Sequence, residues 1–99
     1  MKLDKIILND KSEILKAIGH PIRLCIVKGL LEQGESNVTY MQGCLDVPQS
    51  TLSQHLGKLR DLGIIEGVRK STEVYYKVIN KDVINIIKVL FEETKGDLK

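Results

Sequence analysis

The sequence predicts a mainly α fold with one small β-hairpin, in the order α-α-α-α-β-β-α. Three observations carry that expectation. Apolar residues recur at helical spacing in four stretches before residue 63 and again from 83 to 91. The period switches once, to strict alternation, over residues 73–78. Gly19, Gly34 and Gly63 stand where helical stripes stop, the usual place for a glycine beyond a helix end.

Each element has its own warrant. Asp10, with Glu13 three residues on, can form a capping box ahead of the stripe Ile14, Leu15 and Ile18. Pro21 suits the first turn of a second helix, "PIRLCIVKGLLEQG". Its apolar residues Ile22, Leu24, Ile26, Val27, Leu30 and Leu31 run almost all the way round, and only Arg23, Lys28 and Glu32 interrupt them. A helix apolar on most sides belongs at the centre of a core. Ser36 or Asn37 can cap a short third helix, "VTYMQGCL", with Val38, Met41 and Leu45 inward. The residue before Pro48 is pushed out of the helical region, so a turn follows. A fourth helix then carries Leu52, Leu56, Leu59 and Leu62 on one side. "IIEGV" and "EVYYKV" read as paired strands joined by a turn at "RKST". Such a hairpin needs a helical layer to lie on. Asn80 or Lys81 leads into the last helix, with the stripe Val83, Ile86, Ile87, Leu90 and Phe91 and Ile84 on its flank. Two helices joined by a short turn, followed by a hairpin, make a winged helix-turn-helix, here with an extra helix at each end.

At 99 residues the chain has room for a single domain, 1–99, with its core at about residues 12–92. A core of that size is marginal, so association would help it. An apolar fraction of 42% and a charged fraction of 28% are those of a soluble globular protein. No apolar run approaches the roughly 18 residues of a membrane span, and no secretory leader pattern is visible, so a cytoplasmic location and no membrane partner are expected. The formal charge of +2 is too weak a global signal to name a partner, and local charge must decide.

The fourth helix raises the functional question. Opposite its leucines stand Ser50, Ser53, Gln54, Gly57 and Lys58. A merely solvated face is usually built from better helix formers such as Glu and Lys. Short polar side chains let a backbone approach another surface closely. Ser and Thr can meet phosphates or base edges, Gln pairs with adenine, and Lys meets guanine or phosphate. The segment is therefore suited to a DNA major groove, and a basic hairpin tip at Arg69 and Lys70 follows it. Lys58, Arg60, Arg69, Lys70 and Lys77 favour an anionic partner, while Asp61 and Glu73 oppose it.

"AIGHPIRLCIVKGLLEQGE", "VPQSTLSQHLGKLRDLGII" and "STEVYYKV" resemble the ArsR/SmtB-type winged-helix repressors of bacteria over about residues 12–92. The resemblance implies a homodimer, formed through the first and last helices, on a palindromic operator in double-stranded DNA. Gln49, Ser50, Thr51, Ser53, Gln54 and Lys58 would then meet the major groove, and Arg69 and Lys70 the backbone or adjacent minor groove. Ile14, Leu15, Ile18, Ile87, Leu90 and Phe91 would form the dimer interface. The chain departs from the family's metal sensors. Asn37 and Thr39 stand at the positions of their Cys-x-Cys pair, and the last helix has no His and only Asp82 near its start. No metal site and no cofactor are expected. Persulfide-sensing members use a Cys in the second helix and one in the last. Cys25 fits the first role, but nothing fills the second. Pro48 stands where relatives often have a capping Ser.

Several residues keep two readings. His55 lies between the leucine stripe and the polar face, as a phosphate contact or a packing contact. His20 reads as a helix-start residue, with metal ligation as the alternative. Cys25 and Cys44 are either small packing residues or redox thiols, and a small-molecule or redox effector stays open. No catalytic constellation is present: there is no Gly-rich phosphate loop, no activated nucleophile and no metal-ligand spacing. The chain therefore reads as a DNA-binding repressor and not as an enzyme. The alternative is a winged-helix protein-interaction module that has lost DNA binding.

Overall fold

The structure, a computed structural model, describes residues 4–37, 41 and 45–92. Helix α1 spans Lys5–Ile18 and α2 spans Pro21–Gln33. Strand β1 is Ser36–Asn37, α3 is Gln49–Asp61, β2 and β3 are Ile65–Lys70 and Glu73–Val78, and α4 is Lys81–Glu92. Met41 and Leu45 are helical, Met41 buried and Leu45 half-buried. Val38, Thr39 and Cys44, from the third helix that the sequence predicts, lie outside the described residues.

Helix α2 is central, as its all-round apolar surface requires. Ile26, Val27 and Leu30 are buried, and Ile22, Leu24 and Leu31 pack against the core. Helix α3 lays Leu52, Leu56 and Leu59 into the same cluster, where α2 and β2 meet it. Helix α4 adds Val83 and Ile87, and α1 adds Ala17 and Ile18. Asn80 caps α4 through its Oδ1, which accepts the Val83 amide at 3.0 Å. Lys11 Nζ lies 2.8 Å from Asp82 Oδ2, linking α1 to α4, and both groups are exposed. The carboxylate raises the Lys11 pKa above its ordinary value, but a pair this exposed adds little stability.

Helix α1 begins earlier than the sequence suggests. Asp4, not Asp10, is the cap, and its Oδ1 accepts the amides of Ile6 and Ile7 at 2.8 and 3.3 Å. Propagation of a nucleated helix through Asp10 satisfies more backbone groups than a fresh start there would. The extra turns leave Ile6, Ile7 and Leu8 exposed.

The sheet also holds more than a hairpin. Ser36 and Asn37, the expected caps of the third helix, form β1 and pair antiparallel with Tyr76 and Tyr75, so the order is β1-β3-β2. A two-residue strand carries no alternation to read, and the free edge of β3 recruits it. Pairing of β2 with β3 continues to Lys70↔Glu73, which shortens the "RKST" turn to Ser71 and Thr72. Ser71 has φ +62°, a left-handed conformation of the kind a tight two-residue hairpin demands. Gly67 lies under Tyr76, and a Cβ there would sit 2.9 Å from the ring and from Val74 Cγ1. At the other junction, the Ile64 carbonyl accepts the amides of Ile79 and Asn80 at 2.9 and 3.4 Å.

Leu59 is fully buried beneath α3, so Leu59→Ala should cost about 2–5 kcal/mol by chemical denaturation. Leu62→Ala, at a half-buried site, should cost distinctly less.

Candidate nucleic-acid interface

Burying the leucine stripe of α3 fixes what the helix shows outward. Gln49, Ser50, Ser53, Gln54 and Lys58 are exposed, and Thr51 and Gly57 are half-buried at the margins. Pro48 occupies the N-cap with no side-chain hydrogen bond, so the first amides of α3 have no capping side chain. The N-terminal turn therefore offers backbone donors beside Gln49 and Ser50.

The hairpin stands next to this face, since α3 packs on β2. By alternation Ile65, Gly67 and Arg69 share the core-facing side of β2, and Arg69 lies past the core at the tip. Arg69 and Lys70 are both exposed. Lys70 is engaged within the chain: its Nζ pairs with Glu35 and lies 5.2 Å from the Tyr75 ring centroid. Asn37 Nδ2 donates to Glu73 Oε1 at 2.6 Å, which occupies one of the two acids that weaken the basic face. Glu35 is the residue sequence reasoning missed here. It lies 35 positions from Lys70, and no periodicity connects them.

His55 is turned toward α2. Its Nδ1 lies 3.1 Å from Arg23 Nη1, and its ring lies 4.7 Å from that of His20, centroid to centroid. The packing reading of His55 thus has a defined partner. Arg23 Nε also donates to the Ala17 carbonyl at 2.6 Å. His20 is the N-cap of α2, its Nδ1 accepting the Ile22 amide at 3.1 Å, which agrees with its reading as a helix-start residue. Burial lowers the His55 pKa below its ordinary value, and His20 and Arg23 push the same way.

The residues expected at a dimer interface divide in two. Leu15 and Leu90 are exposed, and Ile14 and Phe91 are half-buried. Ile18 and Ile87 are buried in the protomer's own core. Ile6, Ile7, Leu8 and Val89 enlarge the exposed apolar surface of α1 and α4. Cys25 is exposed on α2, at a cleft of about 190 Å³ that Ile26, Leu30, Met41 and Leu45 help to line. Among the described residues, no three His, Cys, Asp or Glu side chains come together in a metal-binding group, and no helix is long and apolar enough to cross a membrane.

Because folding holds the His55 pKa down, its neutral form stabilises the protein fully above about pH 6.5, and that contribution is lost as pH falls below it. The melting temperature should therefore drop on acidification through that range. His55→Asn, which keeps an acceptor for Arg23 but cannot titrate, should flatten the drop.

Comparison with known proteins bears on the same surface. A family model described as a helix-turn-helix domain matches residues 18–68. The transcriptional repressor PagR of Bacillus anthracis is 42% identical over 89 residues, 90% of this chain and 89% of that protein. Its crystal structure superposes with a TM-score of 0.79 at 41% identity, covering 88% of this chain and 99% of PagR. The repressor SmtB of Mycobacterium tuberculosis is 35% identical over 82% of this chain and 59% of its own. HlyU of Vibrio cholerae superposes with a TM-score of 0.80 at 31% identity, covering 85% of this chain and 90% of that one. With its leucine-backed polar helix, its adjoining hairpin and these relatives, the chain belongs to the ArsR/SmtB family of winged helix-turn-helix, DNA-binding transcriptional repressors.

Proposed function

We propose that the chain acts as a homodimer that represses transcription by reading a palindromic operator. One observation carries the reading: α3 buries three leucines and holds Gln49, Ser50, Ser53, Gln54 and Lys58 clear of the core. These side chains enter the major groove, with Thr51 at the margin. Gln54 is the candidate for a bidentate contact to adenine. Arg69 reaches the backbone or the adjacent minor groove from the hairpin tip, and Lys70 joins it on release from Glu35.

Dimerisation gives the operator its symmetry. Leu15 and Leu90 lead the exposed apolar surface, with Ile14 and Phe91 at its edge and Ile18 and Ile87 supporting it from beneath. A helical fold this small does not ordinarily leave so much apolar surface in water. A two-fold dimer places two α3 helices about 34 Å apart, one turn of B-DNA, so each reads one half-site. Oxidation at Cys25 or Cys44 is the modulation this reading carries. Cys25 is reachable from solvent, and oxidation releases DNA only to the extent that the oxidised form binds it less well.

The test is titration against an operator selected from random duplexes, with sedimentation in parallel. The chain should sediment as a dimer at micromolar concentration, and Leu90→Lys should shift it toward monomer and weaken operator binding with it. Absence of duplex binding even at low salt would favour the protein-interaction module instead. Gln54→Ala should lose about 1–3 kcal/mol of preference for the operator over other duplexes. Arg69→Ala should weaken all duplexes alike and flatten the salt slope by about one unit. Lys70→Ala should do less, because Lys70 must first leave Glu35, and Glu35→Gln should raise affinity for every duplex. For the thiols, affinity after mild diamide treatment should fall in the native chain and stay constant in a Cys25→Ser, Cys44→Ser double variant.

A further inference from the structure

The corner where α1 ends and α2 begins sets His20 and Arg23, which have no part in the groove-reading face, beside His55 of α3, for which a phosphate contact is one of two readings. His20 Nδ1 accepts the Ile22 amide at 3.1 Å. Arg23, one turn on, gives Nε to the Ala17 carbonyl at 2.6 Å and Nη1 to His55 Nδ1 at 3.1 Å. The two imidazoles lie 4.7 Å apart, tilted by 48°.

The direction of these bonds decides the chemistry of the corner. A backbone amide and a guanidinium can only donate. Both rings must therefore accept at Nδ1, so each neutral ring carries its proton on Nε2. Nε2 lies across the ring from Nδ1 and points away from the neighbour that Nδ1 engages. Arg23 keeps further N–H groups on Nη1 and Nη2 beyond those two bonds, and among the described residues it makes no ion pair. The corner thus combines two neutral N–H donors with one uncompensated positive charge. Donors alone around a cation suit an anionic oxygen. His55 also shares α3 with Gln54 and Lys58, so such an anion would lie at the flank of the groove-reading face.

We propose that His20, Arg23 and His55 together clamp one backbone phosphate of the bound duplex. The proposal rests on the DNA-binding reading above and adds a contact made by α2 as well as by α3. The clamp carries no base information. It fixes how deeply α3 sits and how it is turned in the groove. It also joins the end of α1 to the duplex, since the same guanidinium holds the Ala17 carbonyl.

The experiment withdraws the outward donors from the Nε2 positions and leaves the inward acceptors. His20→Asn retains a good N-cap for α2, and His55→Asn retains an oxygen for Arg23, while the Asn amide N–H groups sit short of the position that Nε2–H occupies. Affinity is measured for the selected operator and for a scrambled duplex, alongside the melting temperature. Above about pH 6.5, where His55 titration does not enter, the double variant should melt as the native chain does and bind both duplexes more weakly in parallel, by roughly tenfold or more for two donors to a charged group. Operators carrying a neutral methylphosphonate at single backbone positions should include one that weakens the native chain and leaves the double variant unchanged. Undiminished affinity in the double variant overturns the clamp. So does a loss matched by a fall in melting temperature, because the residues then only hold the fold. The ring-nitrogen NMR signals of His20 and His55 should move on adding duplex and stay in place with millimolar inorganic phosphate. Movement with phosphate alone assigns the site to a free anion and overturns the duplex contact. A native chain that binds no duplex overturns the DNA-binding reading and the clamp with it, whereas a double variant at full strength overturns only the clamp.

Discussion

Packing of α2 against α1, α3, α4 and the sheet is the constraint from which the remaining architecture follows. A helix carrying Ile22, Leu24, Ile26, Val27, Leu30 and Leu31 cannot lie on a surface. Its neighbours α1, α3, α4 and the sheet must surround it, each with one apolar face turned in. Their opposite faces are thereby fixed in direction as well as in composition. The outward set of α3 is a consequence of where Leu52, Leu56 and Leu59 had to go. The few polar residues of α2 are left at the seams: Arg23 between α1 and α3, and Lys28 5.0 Å from the ring of Phe91 on α4.

What could be read directly was whatever repeats. The leucine stripe of α3, the wrap-round apolar pattern of α2 and the alternation of β3 each state their burial through spacing, and Tyr76 lies inward between half-buried Val74 and Val78 as that alternation requires. Single-residue signals served less well. The capping-box pattern at Asp10 places the start of α1 six residues late, and Asp4 is the cap because the helix continues back through Asp10. Strand β1 is two residues long and exists because β3 had an edge to fill. The site shows the same division. The polar face of α3 was legible because it is periodic, whereas the contacts of His55 with Arg23 and of Lys70 with Glu35 span 32 and 35 residues.

The charged groups follow an economy suited to a surface that must meet a polyanion and still keep its fold without one. Lys70 has Glu35 and the Tyr75 ring, and Asn37 holds Glu73. Pairing lowers the self-repulsion of a basic tip while the protein is free. Exposed pairs of this kind are weak, so they yield readily when phosphates compete. Arg69 differs, because its position at the end of the core-facing row holds it at the tip by the geometry of the strand.

The carbonyl of Ile64 has a mechanical consequence. By accepting from both Ile79 and Asn80, it ties the end of the segment after α3 to the point where the hairpin returns and α4 begins. The hairpin is thus closed at its base like a loop of cord fastened by one knot, with its far end open at Ser71 and Thr72. Length can change at the open end without disturbing anything behind the knot. An extra residue between Leu62 and Ile65 would carry the carbonyl out of register and loosen α3, hairpin and α4 at once. In lineages descended from such a chain, the tip is where insertions can accumulate and the base is where they cannot.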